Sequence, residues 1–328
     1  MARKLPRDSL PMSWADNPHV AFSGEWSLVK KGYWHAPLKL PLAYNRRSCL
    51  LLARIYAESR YEALFASEHF VQALDQPDVT LSGGVVFTGS SAHYHYLVDG
   101  LANLIPDLFQ RHRTLFIDEG LSADQEAFLR NYVALMTPHA IAIERIPPVT
   151  CALDDVAVPT NSPTEKKIGR LRGWLEKLED GNDSPGGCRV YVSRRRAGTR
   201  RLQNEHALAG ALADTLGFEV VENEDLTLRE QVRRYRDVTV VVGPHGAGLA
   251  NLLFARKPRA LIEFFHSVRQ RFFEDVASFA GADYLAIEGV AAADADAVER
   301  RDNRDYTVDI ARAVARIESL LTGEPRSS

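Results

Sequence analysis

One local feature narrows the possible folds more than any other: the run VTVVV, Val238–Val242, is the most apolar strand in the chain and ends in a glycine loop that opens a helix, VTVVVGPHGAGLANLLFA. The same strand-then-helix alternation fills the rest of the second half. RVYVS reads as a strand, and NEHALAGALADTLG as a helix with Asn204 as N-cap and Gly217 as C-cap. FEVVEN is a strand, and Thr227 with Glu230 has capping-box spacing for a helix through Tyr235. ALIEFF, a helix near residues 269–280, YLAIEG and a terminal amphipathic helix, VDIARAVARIESLL, follow. Such alternation is the mark of βαβ units on a parallel sheet.

The first half carries the pattern too. GVVFTG, TLFID and IAIERI read as strands. HYHYLVDGLANLIPDLFQRH has apolar residues at helical spacing, and SADQEAFLRNYVALM reads as a helix capped by Ser122. The first 45 residues show no sustained period and read as irregular, with one short strand pair at most. A length of 328 residues suggests two domains. The boundaries fall at residues 1–160 and 188–328, both α/β and Rossmann-like, with a linker at 161–187 that holds a charged helix and ends in GNDSPGG. Two such halves facing a central cleft would put a ligand at the C-terminal ends of the strands.

Composition excludes several classes. Hydrophobic residues at 45% and charged residues at 25% suit a globular core. A net charge of -3 argues against a general nucleic-acid binder. The three cysteines, Cys49, Cys151 and Cys188, lie far apart, which fits neither a disulfide framework nor a cysteine zinc site. The N-terminus lacks the apolar core of a signal peptide, and no stretch approaches the roughly 20 apolar residues of a membrane span. The expectation is a cytoplasmic protein, with peripheral attachment to the inner face of a membrane still compatible.

Two loops carry anion chemistry. Gly243, Gly246 and Gly248 allow backbone to approach a ligand, and the N–H groups of a helix start, here at Gly246, Ala247 and Gly248, favour negative charge. His245 can add a hydrogen bond or a proton. The loop is neither a Walker loop nor G-x-G-x-x-G, and a tight packing turn is the plain alternative. The second loop, YVSRRRAGTRRLQNE, sits in a stretch with six arginines and no acid between Arg189 and Arg201. The guanidinium fork matches a diphosphate, and the lack of aromatics within the run weakens a single-strand nucleic-acid reading. Glu263, in ALIEFF, stands where a carboxylate often accepts from ribose hydroxyls. In SSAHYHYLVDG, His95 and Asp99 are four apart on one helical face, geometry for a general base set by a partner; either could be the base. His93, His95 and Asp99 could also be read as a metal site, though no further ligand cluster accompanies them.

In order, SRRRAGTRRLQNE, TLREQVRRYRDVTVVVGPHGAGLANLLFA and ALIEFF resemble the motifs of glycosyltransferase family 61. That family includes bacterial capsular polysaccharide biosynthesis enzymes, eukaryotic O-linked N-acetylglucosamine transferases and plant xylosyl transferases. HYHYLVDGLANL is similar to its N-terminal pattern N-Y-Y-H-W-L-L-D-x-L-P, with His95 and Asp99 on the His and Asp. Ala92, His93 and Ala102 depart from that pattern, and Arg196 stands where an acid follows SRR. The resemblance implies a GT-B architecture with the donor in the C-terminal domain, the acceptor largely in the N-terminal one, and the last helix packed back toward the N-terminal domain. It implies an inverting, metal-independent transfer from a nucleotide-sugar, taken as UDP-linked, to a glycan or lipid-linked glycan. On that basis Arg194, Arg201, Asn204, Gly243, His245, Gly246, Ala247, Gly248, Asn251 and Glu263 would bind the donor. Asp99 or His95 would be the base, and His245 would stabilise the leaving group. A non-catalytic nucleotide-sugar-binding module and a metal-dependent hydrolase are the competing readings.

Overall fold

The computed structural model describes residues 20–22, 25–35, 40–44, 50–52, 77–159, 164–178, 187–266, 272–291 and 304–323. The chain is mixed α/β with several sheets and divides into two compact units, Met1–Lys167 and Ile168–Ser328.

In the first unit the strands are β1 (Val20–Phe22), β2 (Trp26–Val29), β3 (Gly32–His35), β4 (Leu40–Tyr44), β5 (Leu50–Leu52) and β6 (Thr80–Ser82). They continue with β7 (Val85–Val86), β8 (Thr114–Ile117), β9 (Ala142–Arg145), β10 (Cys151–Asp154) and β11 (Val156–Pro159). One sheet has the order β1-β2-β11-β7-β8-β9, the other β5-β4-β3-β10-β6. β11, β7, β8 and β9 form a parallel block with β2 antiparallel to β11, and in the other sheet β10 runs parallel to β6 but antiparallel to β3. The unit is therefore not the plain Rossmann-like half expected. Within the first 45 residues the expected irregularity is also corrected: four short strands lie there. β1 pairs with β2 and β3 with β4 locally, but what ties them into the sheets is distant, Val29 against Val156 and Trp34 against Cys151, which no local period reveals.

The long helix expected from HYHYLVDGLANLIPDLFQRH is broken into three pieces. His95–Gly100 is π-helical, Leu101–Asn103 is 3-10, and Leu108–Arg111 is one α turn. Gly100 leaves helical geometry (φ -104°, ψ -85°), and a Cβ there would stand 2.9 Å from the Gly89 Cα and collide with the Phe87 ring. Close backbone approach at this point, followed by Pro106, ends the helix. Ser122 caps Ala123–Ala134 with a full capping box, as its spacing predicts.

The second unit is a cleaner object. Strands β12 (Cys188–Val192), β13 (Phe218–Val221), β14 (Val238–Pro244), β15 (Ala260–Phe265) and β16 (Asp283–Glu288) are all parallel, in the order β13-β12-β14-β15-β16. Helices Glu205–Leu216, Leu228–Tyr235 and Phe272–Ala280 connect them, and Gly217 ends the first in the left-handed conformation (φ 67°). The segment after the glycine loop is 3-10 over Ala247–Phe254 rather than α-helical. Its i to i+3 bonds include Leu249 N–H to the Gly246 carbonyl at 3.0 Å, and residues 249–254 are buried on every side.

Helix Ile310–Thr322 buries Ala313, Ile317 and Leu321 in the same core as Tyr191, Leu212, Val242, Ile262 and Leu285. That apolar face belongs to the core of its own unit. Two short strands, β17 (Val290–Ala291) and β18 (Tyr306–Thr307), pair beside it. Helix Thr164–Leu178 spans the division between the units. Its Arg172 donates to the carbonyls of Ala280 (2.6 Å), Ala255 (3.1 Å) and Arg256 (3.1 Å). Ala280 ends one helix and Ala255 follows another, where a cation is favoured.

Candidate active site

The strand order of the second unit decides where a ligand fits. From β12 the chain moves outward to β13, then returns past β12 to β14, so the connections after β12 and β14 diverge. The crevice between them, at the C-terminal ends, is the topological switch point of an open α/β sheet. The arginine loop after β12 and the glycine loop after β14 both begin there.

Their contact is intimate. A Cβ on Gly246 would collide with the Arg194 guanidinium, and one on Gly243 would stand 2.7 Å from the Val192 carbonyl oxygen. Gly248 is as crowded, against the Asn223 amide at 2.9 Å. The glycines hold the two loops together, and Ala247 opens the 3-10 segment beside them. Arg194 is half-buried. Burial, then the neighbouring charge of Arg200, makes its protonated form less favourable than usual, yet a guanidinium keeps its proton. Its Nε has no hydrogen-bond partner among the described residues, and neither has the Nε of Arg200, whose backbone is left-handed (φ 57°). Arg200 was not singled out by sequence, because a run of arginines does not say which one turns inward.

Most of the other arginines are engaged. Arg196 pairs with Asp225 at 2.5 Å and with Glu222 at 2.6 Å, Arg195 pairs with Glu222, and Arg189 donates to the Leu216 carbonyl at 2.7 Å. Arg201, expected at the diphosphate, turns two guanidinium nitrogens on Asp305 Oδ2, at 2.9 and 2.8 Å, while its backbone N–H donates to Oδ1 at 2.8 Å. Burial raises the Asp305 carboxyl, but the bonds from Arg201 outweigh it and leave the group below its usual range.

His245 donates its backbone N–H to the Phe264 carbonyl at 2.7 Å, and its ring meets the Phe273 ring edge-on at 5.3 Å. Its Nδ1 bonds Glu263 Oε1, while the Tyr284 hydroxyl donates to Glu263 Oε2. Glu263 is 1% exposed. Both carboxylate oxygens are thus engaged within the protein, and the bond to Nδ1 fixes the orientation of the His245 imidazole. Asn251 is likewise fully buried, its amide donating to Gln231 at 2.9 Å, so it braces the wall behind the loop. Asn204 makes no cap bond and instead clasps the backbone of Val308 at 2.7 and 3.2 Å. His266, missed in the sequence, is buried against the Tyr306 ring with neither ring nitrogen hydrogen-bonded among the described residues.

A second cluster belongs to the first unit. His95 Nδ1 lies 2.6 Å from Asp99 Oδ2, and Asp99 Oδ1 lies 3.5 Å from Lys167 Nζ. His93 opens the same helical stretch, where residues two apart point away from each other. Among the described residues no three His, Cys, Asp or Glu side chains gather to hold a metal ion.

Against known families, the profile of glycosyltransferase 61 matches residues 93–262, just over half of the chain. The chain belongs to glycosyltransferase family 61. The family 61 match takes in His95, Asp99 and Lys167 and both loops after β12 and β14, and stops one residue short of Glu263. Relatives include the EGF domain-specific O-linked N-acetylglucosamine transferases of Bos taurus and Rattus norvegicus, each 29% identical over 117 residues. That of Gallus gallus is 30% identical over the same length. Each alignment covers 34% of this chain and 22% of the relative, so the chain spans about a fifth of the relatives it matches.

Proposed function

We propose that this family 61 member moves a glycosyl group from a nucleotide-sugar to a glycan hydroxyl, by an inverting displacement that needs no metal. The observation that carries the reading is Arg194: a half-buried guanidinium whose shielded Nε has no hydrogen-bond partner among the described residues, pressed against a glycine loop at the switch point of a parallel sheet. A diphosphate suits such a place, since a charged fork and backbone N–H groups can meet its oxygens together. As the nucleotide leaves, negative charge grows on the diphosphate. Arg194, Arg200 and the N–H groups of Gly246, Ala247 and Gly248 are the groups suited to meet it. A protonated His245, balanced by Glu263, would present Nε2–H as a further donor. His266 is a further contact for the donor in this reading. In the first unit, His95 or Asp99 removes the acceptor proton.

The finer features of the proposal rest on the family resemblance: two units forming a GT-B enzyme, a UDP-linked donor, a polysaccharide or lipid-linked glycan acceptor, and a place in the cytoplasm or at the inner face of a membrane. No helix among the described residues is long and apolar enough to cross a membrane. The names of the relatives put UDP-N-acetylglucosamine first among donors to try.

A thermal-shift screen against UDP-, GDP-, CMP- and TDP-sugars, with and without EDTA, tests the reading. One donor class is expected to raise stability by about 2.7 kcal/mol at a hundredfold excess over its dissociation constant. The shift should survive EDTA and vanish in Arg194→Ala. A shift that needs a divalent cation, or that persists in Arg194→Ala, overturns the assignment.

A further inference from the structure

We propose that Lys167 divides the labour within the His95–Asp99 pair, making His95 the proton acceptor and Asp99 its ionised, orienting partner. The reaction it serves rests on the glycosyl-transfer reading above; the state of the pair does not.

The cluster is graded by depth. The Lys167 side chain is 4% exposed, that of Asp99 18%, and that of His95 43%. An ammonium so deeply placed is costly unless an opposite charge accompanies it, and Asp99 supplies that charge. Both Asp99 oxygens then have work: Oδ1 faces Lys167 and Oδ2 accepts from His95 Nδ1. The backbone is held as firmly, because the Asp99 carbonyl accepts from the Thr88 hydroxyl and from the Asn103 amide at 2.8 Å. These bonds fix the π-helical turn that carries both residues, a distortion often found at functional sites.

An ionised carboxylate on Nδ1 selects the tautomer with hydrogen on that nitrogen, which makes Nε2 the accepting one. Lys167 matters because it places a cation beside the carboxylate oxygen that His95 leaves open. In the second unit the carboxylate beside the histidine is differently served: the Tyr284 hydroxyl donates to Glu263 Oε2. Around His95 the structure places Asp99, with Lys167 behind it, and the Tyr94 ring edge-on at 5.5 Å.

In the transfer step, the Nε2 lone pair takes the hydroxyl proton of the acceptor. The hydroxyl oxygen forms the new bond to the anomeric carbon. The bond from that carbon to the diphosphate breaks, its electron pair leaves with the nucleoside diphosphate, and the proton on His95 passes to water. Asp99 keeps its charge throughout.

Long-range proton–nitrogen spectra of the full chain, labelled with 15N-histidine and assigned through His95→Gln, test the assignment. At pH 7 the wild type is expected to show a neutral His95 with hydrogen on Nδ1. Lys167→Met should convert it to the doubly protonated ring, and Lys167→Arg should restore the wild-type signature. Lys167→Gln serves as the neutral variant if Lys167→Met does not fold. Hydrolysis of UDP-N-acetylglucosamine, with water as acceptor, gives an independent readout: His95→Gly should lose activity at least a hundredfold and regain part of it with added imidazole. Wild-type His95 with hydrogen on Nε2 or doubly protonated, or a Lys167→Met spectrum identical to the wild type, overturns the inference. So does hydrolysis that survives His95→Gly but not Asp99→Asn. Absence of hydrolysis in the wild type counts against this donor and leaves the spectra to decide the state of the pair.

Discussion

Four of the six arginines between Arg189 and Arg201 have a carboxylate or carbonyl that accounts for their position: Arg189 with Leu216, Arg195 with Glu222, Arg196 with Asp225, and Arg201 with Asp305. Exposed pairs of this kind contribute little, and their arginines are already satisfied. Arg194 and Arg200 are different, since each keeps an Nε without a hydrogen-bond partner among the described residues. The difference is set by what lies opposite, and opposite Arg194 lies a residue with no side chain. Gly246→Ala is therefore expected to push the Arg194 guanidinium aside and weaken donor binding at least tenfold, read by titration calorimetry. Arg196→Ala, remote from that contact, should leave the affinity within about twofold. Equal losses in both variants would mean that the loop acts through its total charge.

At the scale of elements, the terminal helix and the helix after β12 make opposite predictions. Ile317 is fully buried in the core of the second unit, so Ile317→Ala should cost about 2–5 kcal/mol in denaturant unfolding. Gly210, inside helix Glu205–Leu216, has open space where a Cβ would go, so Gly210→Ala should add roughly 0.5–1 kcal/mol. Features governed by neighbours in sequence were legible beforehand: the capping boxes at Ser122 and Thr227, the stop at Gly217, and the apolar strand running into the glycine loop. What depended on register between distant strands was hidden. Glu263 lies between Gly243 on β14 and Ala286 on β16, so its partners His245 and Tyr284 come from two other strands or their ends. Nothing in ALIEFF announces either one. Lys167 was equally silent, because it meets Asp99 from a helix 68 residues later.

For the whole molecule, several carboxylates titrate low and in the same direction. Glu126 is held down first by its bond from Arg130, and Asp225 first by its bond from Arg196; Asp305 ends low despite its burial. A carboxylate depressed in the folded state lends stability that is fully present above its unfolded value, near 4, and is lost as pH falls through the folded one. The melting temperature should therefore stay level from pH 7 to about pH 5 and decline below about pH 4. A decline that begins above pH 5 would point to histidines instead.

The contacts of Arg172 bear on where this protein can be cut. One guanidinium gathers three carbonyls from the ends of two helical segments that follow it by more than 80 residues. A C-terminal fragment starting at residue 188 would keep all five parallel strands but leave those three oxygens without their donor. A fragment starting before Thr164 would retain it. The shortest piece able to stand alone therefore begins upstream of its own first strand, and proteases that nick after Leu178 should release a less stable fragment than those that nick before Thr164.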